Sequence, residues 1–409
     1  MLNSILNGLL LVLAGATAIP VAVVFLECLA ALLPRRTRRE GARPRIDVLI
    51  PAHNEEAVIG ATLRSVGAQL RDGDRLLVVA DNCADRTAEA ALSSGAIVVQ
   101  RTSETERGKG YALDCGVRRL AEGHADVVVI VDADCTLGPG TLDALARDCA
   151  ASGRPVQAGY LMHAPPNPSP RDVVSRFAVV VKNQVRQRGL TALGGAAVLT
   201  GSGMAFPWSV LSRAKLASGN IVEDMQLSFD LLVAGHEPRF CPSAEVHAPL
   251  PAARKASMTQ RTRWEHGHLQ TLMSRVPRLA WEGARQRRPR LWVSALDLAV
   301  PPLALLCTVW CGATLLAAAS AAVGFGRTAL VVNLVSGTVL VGCIALVAAA
   351  FVRDVSFTQL ALAVPRYIAG KLPIYYTFLF RRQTVWVRTD RAEQPPHHHG
   401  PSQPLHSQT

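Results

Sequence analysis

Apolar residues fall along this chain in two patterns, long runs towards its ends and short β-branched runs in its middle. Residues 9–33 are apolar apart from one charge, Glu27, and are long enough to cross a hydrocarbon core of about 30 Å as a helix. Residues 291–323 and 330–351 are two further runs, joined by a turn containing Gly324, Gly326 and Arg327, and they read as a helical hairpin. Residues 355–365 are too short to span. Residues 367–380 mix Lys371 and Pro373 with Tyr375, Tyr376, Phe378 and Phe380, which suits an interfacial helix. The alternative is a third C-terminal span broken at Pro365; Arg381 and Arg382 favour the interface.

Between the long runs the pattern changes. IDVLIPA, RLLVVAD, GAIVVQR and DVVVIVDAD read as strands, and the stretches beginning at Glu55, Asp85 and Gly108 as helices. Continuously apolar strands imply a mostly parallel sheet buried on both faces, an open α/β nucleotide-binding architecture. The expected organisation is an N-terminal anchor and basic linker (1–44), a catalytic domain (45–290), a transmembrane hairpin (291–352), an interfacial segment (353–390) and a disordered tail (391–409).

Composition supports the membrane assignment. The chain has 409 residues, of which 49% are hydrophobic and 18% charged, and its mean hydropathy is +0.22, too apolar for an ordinary soluble enzyme. Much of the formal charge of +12 lies in two arginine clusters, at 35–39 and 285–290, each beside an apolar run. Such placement follows the positive-inside rule and argues against nucleic acid as a partner. With Arg353 following the hairpin, it predicts an uncleaved anchor with its N-terminus outside and the catalytic domain in the cytosol, at the inner (plasma) membrane. The nine cysteines have no CxxC pair and read as reduced, mostly buried thiols, and His397, His398 and His399 as part of a solvated tail.

In an open α/β sheet ligands bind outside the carboxyl ends of the strands. Three strands end in polar residues there: His53, Asn54 and Glu55; Asp81 and Asn82; Asp132 and Asp134. The last two form an Asp-x-Asp able to hold a hard divalent cation beside a departing diphosphate. The same spacing in Asp72 and Asp74 lies in a glycine-containing turn and reads as solvated. No P-loop occurs, and Gly201-Ser202-Gly203 lacks the third glycine of a dinucleotide fingerprint. Glu223 and Asp224 open a helical stretch, where a carboxylate is held ionised, either as a base or simply as a helix N-terminal charge. The segment Gln260-Arg261-Thr262-Arg263-Trp264 is rarer; Q-x-x-R-W arises by chance in roughly one chain in a hundred. It offers an arginine and a glutamine to phosphate oxygens and an indole to a sugar ring.

PAHNEE, ADNCADRT, RGKGYAL, DAD, TGSGMAF, VED and QRTRW, in this order over about residues 45–270, resemble the membrane-bound family 2 glycosyltransferases. That family includes exopolysaccharide, cellulose, chitin and hyaluronan synthases and, more distantly, ceramide glucosyltransferases. The resemblance implies the GT-A fold, here with one transmembrane helix before the domain, two after it and an interfacial helix. It implies that Glu55 and Asp81 contact the nucleoside, that Lys109 lies near the base or phosphates, and that Asp132 and Asp134 hold ribose and metal (Mg2+ or Mn2+). By the same resemblance Asp224 is the catalytic base, with Glu223 beside it in the substrate site. Gln260, Arg263 and Trp264 bind the diphosphate and acceptor sugar, Gly201, Ser202 and Gly203 line the acceptor side, and His53 is structural.

The function so implied is inverting transfer from a nucleotide-sugar, expected to be a UDP-sugar, to a growing glycan or lipid-linked acceptor in exopolysaccharide or cell-envelope polysaccharide synthesis. A separate protein would export any polymer, since three spans are few for a channel. Transfer of one sugar to a lipid, as in ceramide glucosyltransferases, is the alternative. An inactive GT-A membrane scaffold is the competing reading from another class.

Overall fold

The computed structural model describes residues 2–34, 41–219, 222–251, 254–352 and 355–382. The first arginine cluster, Arg353 and the histidine-containing tail lie outside the described residues.

One eight-stranded sheet organises the middle of the chain. Its strands are β1 (Ile46–Ala52), β2 (Arg75–Asp81), β3 (Ile97–Arg101), β4 (Val127–Ile130), β5 (Thr136–Leu137), β6 (Val156–His163), β7 (Met204–Pro207) and β8 (Arg239–Pro249), in the order β3-β2-β1-β4-β7-β6-β8-β5. The first four are mutually parallel. β7 runs antiparallel to both β4 and β6, β6 and β8 are parallel, and β5 is antiparallel to β8. The helices of this region are α2 (Ile59–Gly67), α3 (Thr87–Ser93), α4 (Lys109–Leu120), α5 (Thr141–Ser152), α6 (Pro170–Val180), a π-helical turn (Val181–Arg186), α7 (Gln187–Ala192), α8 (Trp208–Leu211) and α9 (Glu223–Val233), following α1 (Leu2–Ala31).

All seven residues of β1 are buried because the sheet is covered on both sides. Ile46, Val48 and Ile50 pack with Ile59, Leu63, Leu142 and Leu145 on one face. Leu49, Leu77 and Val79 pack with Leu113 and Val117 on the other. The turn before β2 differs from expectation. Asp74 is not solvated: its carboxylate is 1% exposed, receives both terminal nitrogens of Arg43 at 3.1 and 2.7 Å, and accepts from the backbone N–H groups of Ile46 and Arg71. It pins the chain where it enters β1.

Beyond the sheet lie α10 (Arg254–Arg285), α11 (Pro289–Leu298), α12 (Leu303–Ala322), α13 (Arg327–Phe351), α14 (Phe357–Ala369) and α15 (Leu372–Phe380). Among the described residues three helical stretches are long and apolar enough to cross a membrane: Asn3–Ala31, Leu303–Ala322 and Arg327–Phe351. The apolar run 291–323 is therefore not one helix. Pro301 and Pro302 lack the N–H groups a helix needs, and α11, ending before them, buries Leu291, Ala295 and Leu298 against Met225, Phe229 and Leu279. Pro365, by contrast, is accommodated inside α14.

The spanning helices meet the sheet domain through α6, the π-turn and α7. Val24 and Cys28 of α1 share a core with Phe177, Val181 and Val185 and with Cys343 and Val347 of α13. Arg186 binds Glu27 of α1 through its Nε (2.6 Å) and Asp297 of α11 through a terminal nitrogen (2.6 Å). All nine cysteines are free, and Cys28, Cys135, Cys149, Cys241 and Cys343 are buried.

Candidate active site

The carboxyl ends of β1, β2 and β4 open onto one cavity of about 750 Å³. The chain turns sharply there: Asn54 and Asn82, just past β1 and β2, adopt left-handed φ values of 54° and 51° that asparagine tolerates better than most residues. Asp81 is buried, and its Oδ1 is held by Arg101 (2.7 Å) and Asn82 (3.1 Å). His53 directs Nδ1 at the carbonyl of Asp81 (2.7 Å), in keeping with a structural role. Glu55 also lines the cavity, its backbone N–H bound to Thr87 Oγ1.

Three charged side chains converge around Gly201. Lys109 Nζ lies 2.5 Å from Asp132 Oδ1, 2.7 Å from the Gly201 carbonyl and 3.9 Å from Glu223 Oε1. A Cβ added to Gly201 would stand 3.1 Å from both Asp224 Oδ2 and Lys109 Nζ and 3.7 Å from Asp132 Oδ2, and its φ of +86° already disfavours a side chain. Carboxylates supplied by β4 and α9 thus face each other across a glycine. Ser202 and Gly203 depart from expectation. Ser202 is fully buried and accepts from the Asp132 backbone N–H (3.0 Å), and the space beside Gly203 is filled by Val246 and Ala158. They shape the floor behind Asp132 rather than facing an acceptor.

Crowding of like charge in a desolvated site sets the protonation behaviour. Burial, reinforced by Asp224, pushes Glu223 up to about 7 against the pull of Lys109. Burial likewise raises Asp132, with Lys109 opposing and Asp134 adding. Burial disfavours the charge on Lys109, but Asp132, Glu223 and Asp224 overcome it and hold the ammonium well above its ordinary range. Among the described residues Asp132, Asp134 and Cys135 place potential ligand atoms within 4.8 Å of one another. Burial and the two carboxylates push the Cys135 thiol far up, so it stays protonated, and its Sγ lies 3.4 Å from Asp134 Oδ1. The carboxylates alone suit a hard cation.

The same cavity is lined by Gln260, Arg263, Trp264 and His268 of α10, whose spacing keeps them on one side of the helix. Trp264 is partly buried against the sheet core. Arg263 Nε is buried without a hydrogen-bond partner among the described residues. The helix is clamped from behind: Glu265 receives Lys371 and, at 3.0 Å, the Tyr375 hydroxyl, and His266 Nε2 lies 2.9 Å from the Ile374 carbonyl. Lys371 and α15 are thereby fixed to the site.

Every residue singled out from the sequence, Ser202 and Gly203 excepted, lines this cavity. Sequence reasoning missed Lys182, Asn183 and Arg186 of the π-turn, His268 of α10, Tyr367 of α14 and Lys371 just before α15, all of which line it too. A signal existed in the polar cluster Lys182, Asn183, Gln184, Arg186 and Gln187, which directly follows the apolar run 177–181.

Likenesses to known proteins agree with this geometry. "Probable glycosyltransferase YdaM" of Bacillus subtilis is 28% identical over 242 residues, which cover 55% of each chain. A low-salt glycan biosynthesis hexosyltransferase of Haloferax volcanii is 37% identical over 97 residues, 23% of this chain and 22% of the relative. This chain thus spans about half the length of the first relative and less of the second. The mannosyltransferase PcManGT of Pyrobaculum calidifontis, solved with GDP-mannose and Mn2+, shares the fold at a TM-score of 0.54, with 18% identity and coverage of 92% of this chain and 100% of that one. Residues 44–267, more than half of the chain, match the family described as Glycosyltransferase like family 2, and the chain belongs to that family with a GT-A-like α/β fold.

Proposed function

We propose that this protein is an inverting glycosyltransferase that moves a sugar from a nucleotide-sugar, with a UDP-sugar the expected donor, to a growing glycan or lipid-linked glycan in exopolysaccharide or cell-envelope polysaccharide synthesis. The observation that carries this reading is the convergence of Lys109, Asp132 and Asp224 around Gly201, in one cavity with Arg263 and Trp264.

In this reading Asp224 takes the proton of the acceptor hydroxyl as its oxygen attacks the anomeric carbon. The bond from that carbon to the diphosphate breaks with its electron pair leaving on the diphosphate, and the configuration inverts. Arg263 meets the charge that develops there, and Trp264 offers its face to the acceptor sugar. Asp132 and Asp134 would hold Mg2+ or Mn2+, which supplies electrophilic stabilisation of the diphosphate. The metal and GDP-mannose held by the Pyrobaculum enzyme support this assignment. Glu55 and Asp81, which line the cavity, would contact the nucleoside. The arginine clusters beside the spans favour an inner-membrane protein with its catalytic domain in the cytosol, where nucleotide-sugars are made, and a separate protein would export any polymer.

The test is a panel of nucleotide-sugars and saccharide acceptors offered to the purified protein, with products sized. Asp224→Asn should lower kcat by about 10²–10⁴-fold while nucleotide affinity changes little. Full activity in Asp224→Asn would return the Glu223–Asp224 pair to a helix-end role, and donor binding without turnover on any acceptor would favour a scaffold.

A further inference from the structure

Lys182, the second residue of the π-turn, exposes its side chain to the cavity and makes no hydrogen bond or ion pair among the described residues. Its electrostatic neighbours are Asp224, Glu265, Arg186 and Asp297. Two of those carboxylates are already engaged, Glu265 by Lys371 and Tyr375 and Asp297 by Arg186. Burial depresses the lysine pKa, and the surrounding carboxylates do not make up the difference. An ammonium that faces the cavity without a contacting counter-ion is open to pairing with an anionic ligand.

Two neighbouring polar groups supply no counter-charge to Lys182. His268 is buried and its Nε2 has no partner among the described residues; burial, then Lys182 and Arg186, push it down to about 3, so the ring is neutral. Asn183 donates to the Tyr160 carbonyl (3.0 Å) and leaves its Oδ1 without a hydrogen-bond donor among the described residues. The donor side lies elsewhere: the charges acting on Lys109 are Asp132, Glu223 and Asp224, so Asp224 is within reach of both ammonium groups and the metal-binding pair belongs to the Lys109 side. The cavity is also lined by Leu303 and Cys307 of α12, Ile344 of α13, and Val364 and Ile368 of α14, of which Leu303, Ile344 and Val364 pack in one cluster with Val181 and Val185 of the π-turn. Two of these helices are candidate membrane spans.

We propose that Lys182 is an acceptor subsite for phosphate: the acceptor is carried on a phosphate-bearing lipid, whose phosphate pairs with Lys182 and whose hydrocarbon lies along Leu303, Cys307 and Ile344 towards the bilayer. This deepens the glycosyltransferase reading and rests on it for the term acceptor. The charges fit: Asp224 acts on both Lys109 and Lys182, and the turn that carries Lys182 packs against the apolar residues of α12 and α13. A neutral lipid would leave Lys182 unpaired.

The test uses the full chain in a neutral maltoside detergent and measures calorimetric binding of decyl phosphate, with decanol and inorganic phosphate as controls, and separately of a nucleotide-sugar with Mn2+. Lys182→Met should weaken decyl phosphate by about tenfold or more, leave the donor Kd unchanged, and be partly rescued by Lys182→Arg. Decanol should bind weakly and indifferently to the substitution. Unchanged decyl phosphate affinity in Lys182→Met, a loss confined to the donor, or inorganic phosphate binding as tightly as decyl phosphate would each overturn the proposal. Because binding is read without turnover, absence of sugar transfer would defeat the transferase reading while leaving a Lys182-dependent phosphate site intact.

Discussion

Arg186 of the π-turn donates its Nε to Glu27 of the first membrane helix across 2.6 Å, with the carboxylate 1% exposed. The one charge inside the first apolar run is therefore tied to the wall of the active-site cavity, and the same guanidinium holds Asp297 ahead of the second span. Removing one partner of a buried ion pair costs about 3–5 kcal/mol. Arg186→Met, which strands two carboxylates, should lower the melting temperature in detergent more than Glu27→Gln, which strands part of one interaction. Equal effects, or none, would show that the triad does not join the spans to the domain.

A side chain at Gly201 would meet Lys109, Asp132 and Asp224 within 4 Å. An alanine there adds about 1–3 kcal/mol of backbone strain and pushes on Asp224 and Lys109 together. Gly201→Ala should remain folded by circular dichroism yet lose more than tenfold in kcat. Wild-type turnover in this variant would mean that the observed geometry is not the working one.

Glu223 gives a pH signature. Its native pKa, raised to about 7 by burial and by Asp224, exceeds the ordinary 4.5, so between those values the folded protein binds more proton than the unfolded chain. Stability from this group is complete below pH 4.5 and is lost as pH rises through 7. Glu223→Gln lacks that loss, so relative to wild type it should be comparable at pH 5 and more stable by about 1–3 kcal/mol at pH 8. Thermal melts of both proteins across that range decide the matter, and a constant gap would refute the shift.

For the metal, Asp134→Asn should weaken Mn2+ binding at least tenfold by titration calorimetry, and chelation should abolish transfer. Asp72→Asn, in the exposed turn of the same spacing, is the matched control and should leave both unchanged. Wild-type turnover of Asp134→Asn in the presence of chelator would remove the metal from the mechanism.

The centre of the sheet was legible because burial on both faces leaves an unbroken apolar signature: IDVLIPA and RLLVVAD coincide with β1 and β2 residue for residue. The later strands were not. β6 and β8 carry Gln157, Tyr160, Glu245 and His247 and belong to a mixed, partly exposed region where no period dominates. Hydropathy joined α11 to α12 because it does not register the missing N–H groups of Pro301 and Pro302. Of the site, the strand-end carboxylates and the Q-x-x-R-W helix could be read from local spacing. His268 could not, and Lys182 stood out only as one member of a polar cluster, since their importance depends on which distant carboxylates Lys371 and Arg186 have already engaged.

The single π-turn between α6 and α7 also decides how this enzyme tolerates changes of length. Lys182, Arg186 and Leu190 all face the cavity at steps of four residues, and on an uninterrupted α-helix such steps would drift around the axis by about 40° each. The wider turn takes up part of that drift, so one face follows the cavity instead of spiralling away. Loss of a single residue from 181–186 would keep most of the side chains and yet rotate everything after it by about 100° relative to everything before it. In this segment phase matters more than identity: conservative exchanges are absorbed, while the smallest possible deletion disconnects the cation over the cavity from the arginine that secures the membrane helix.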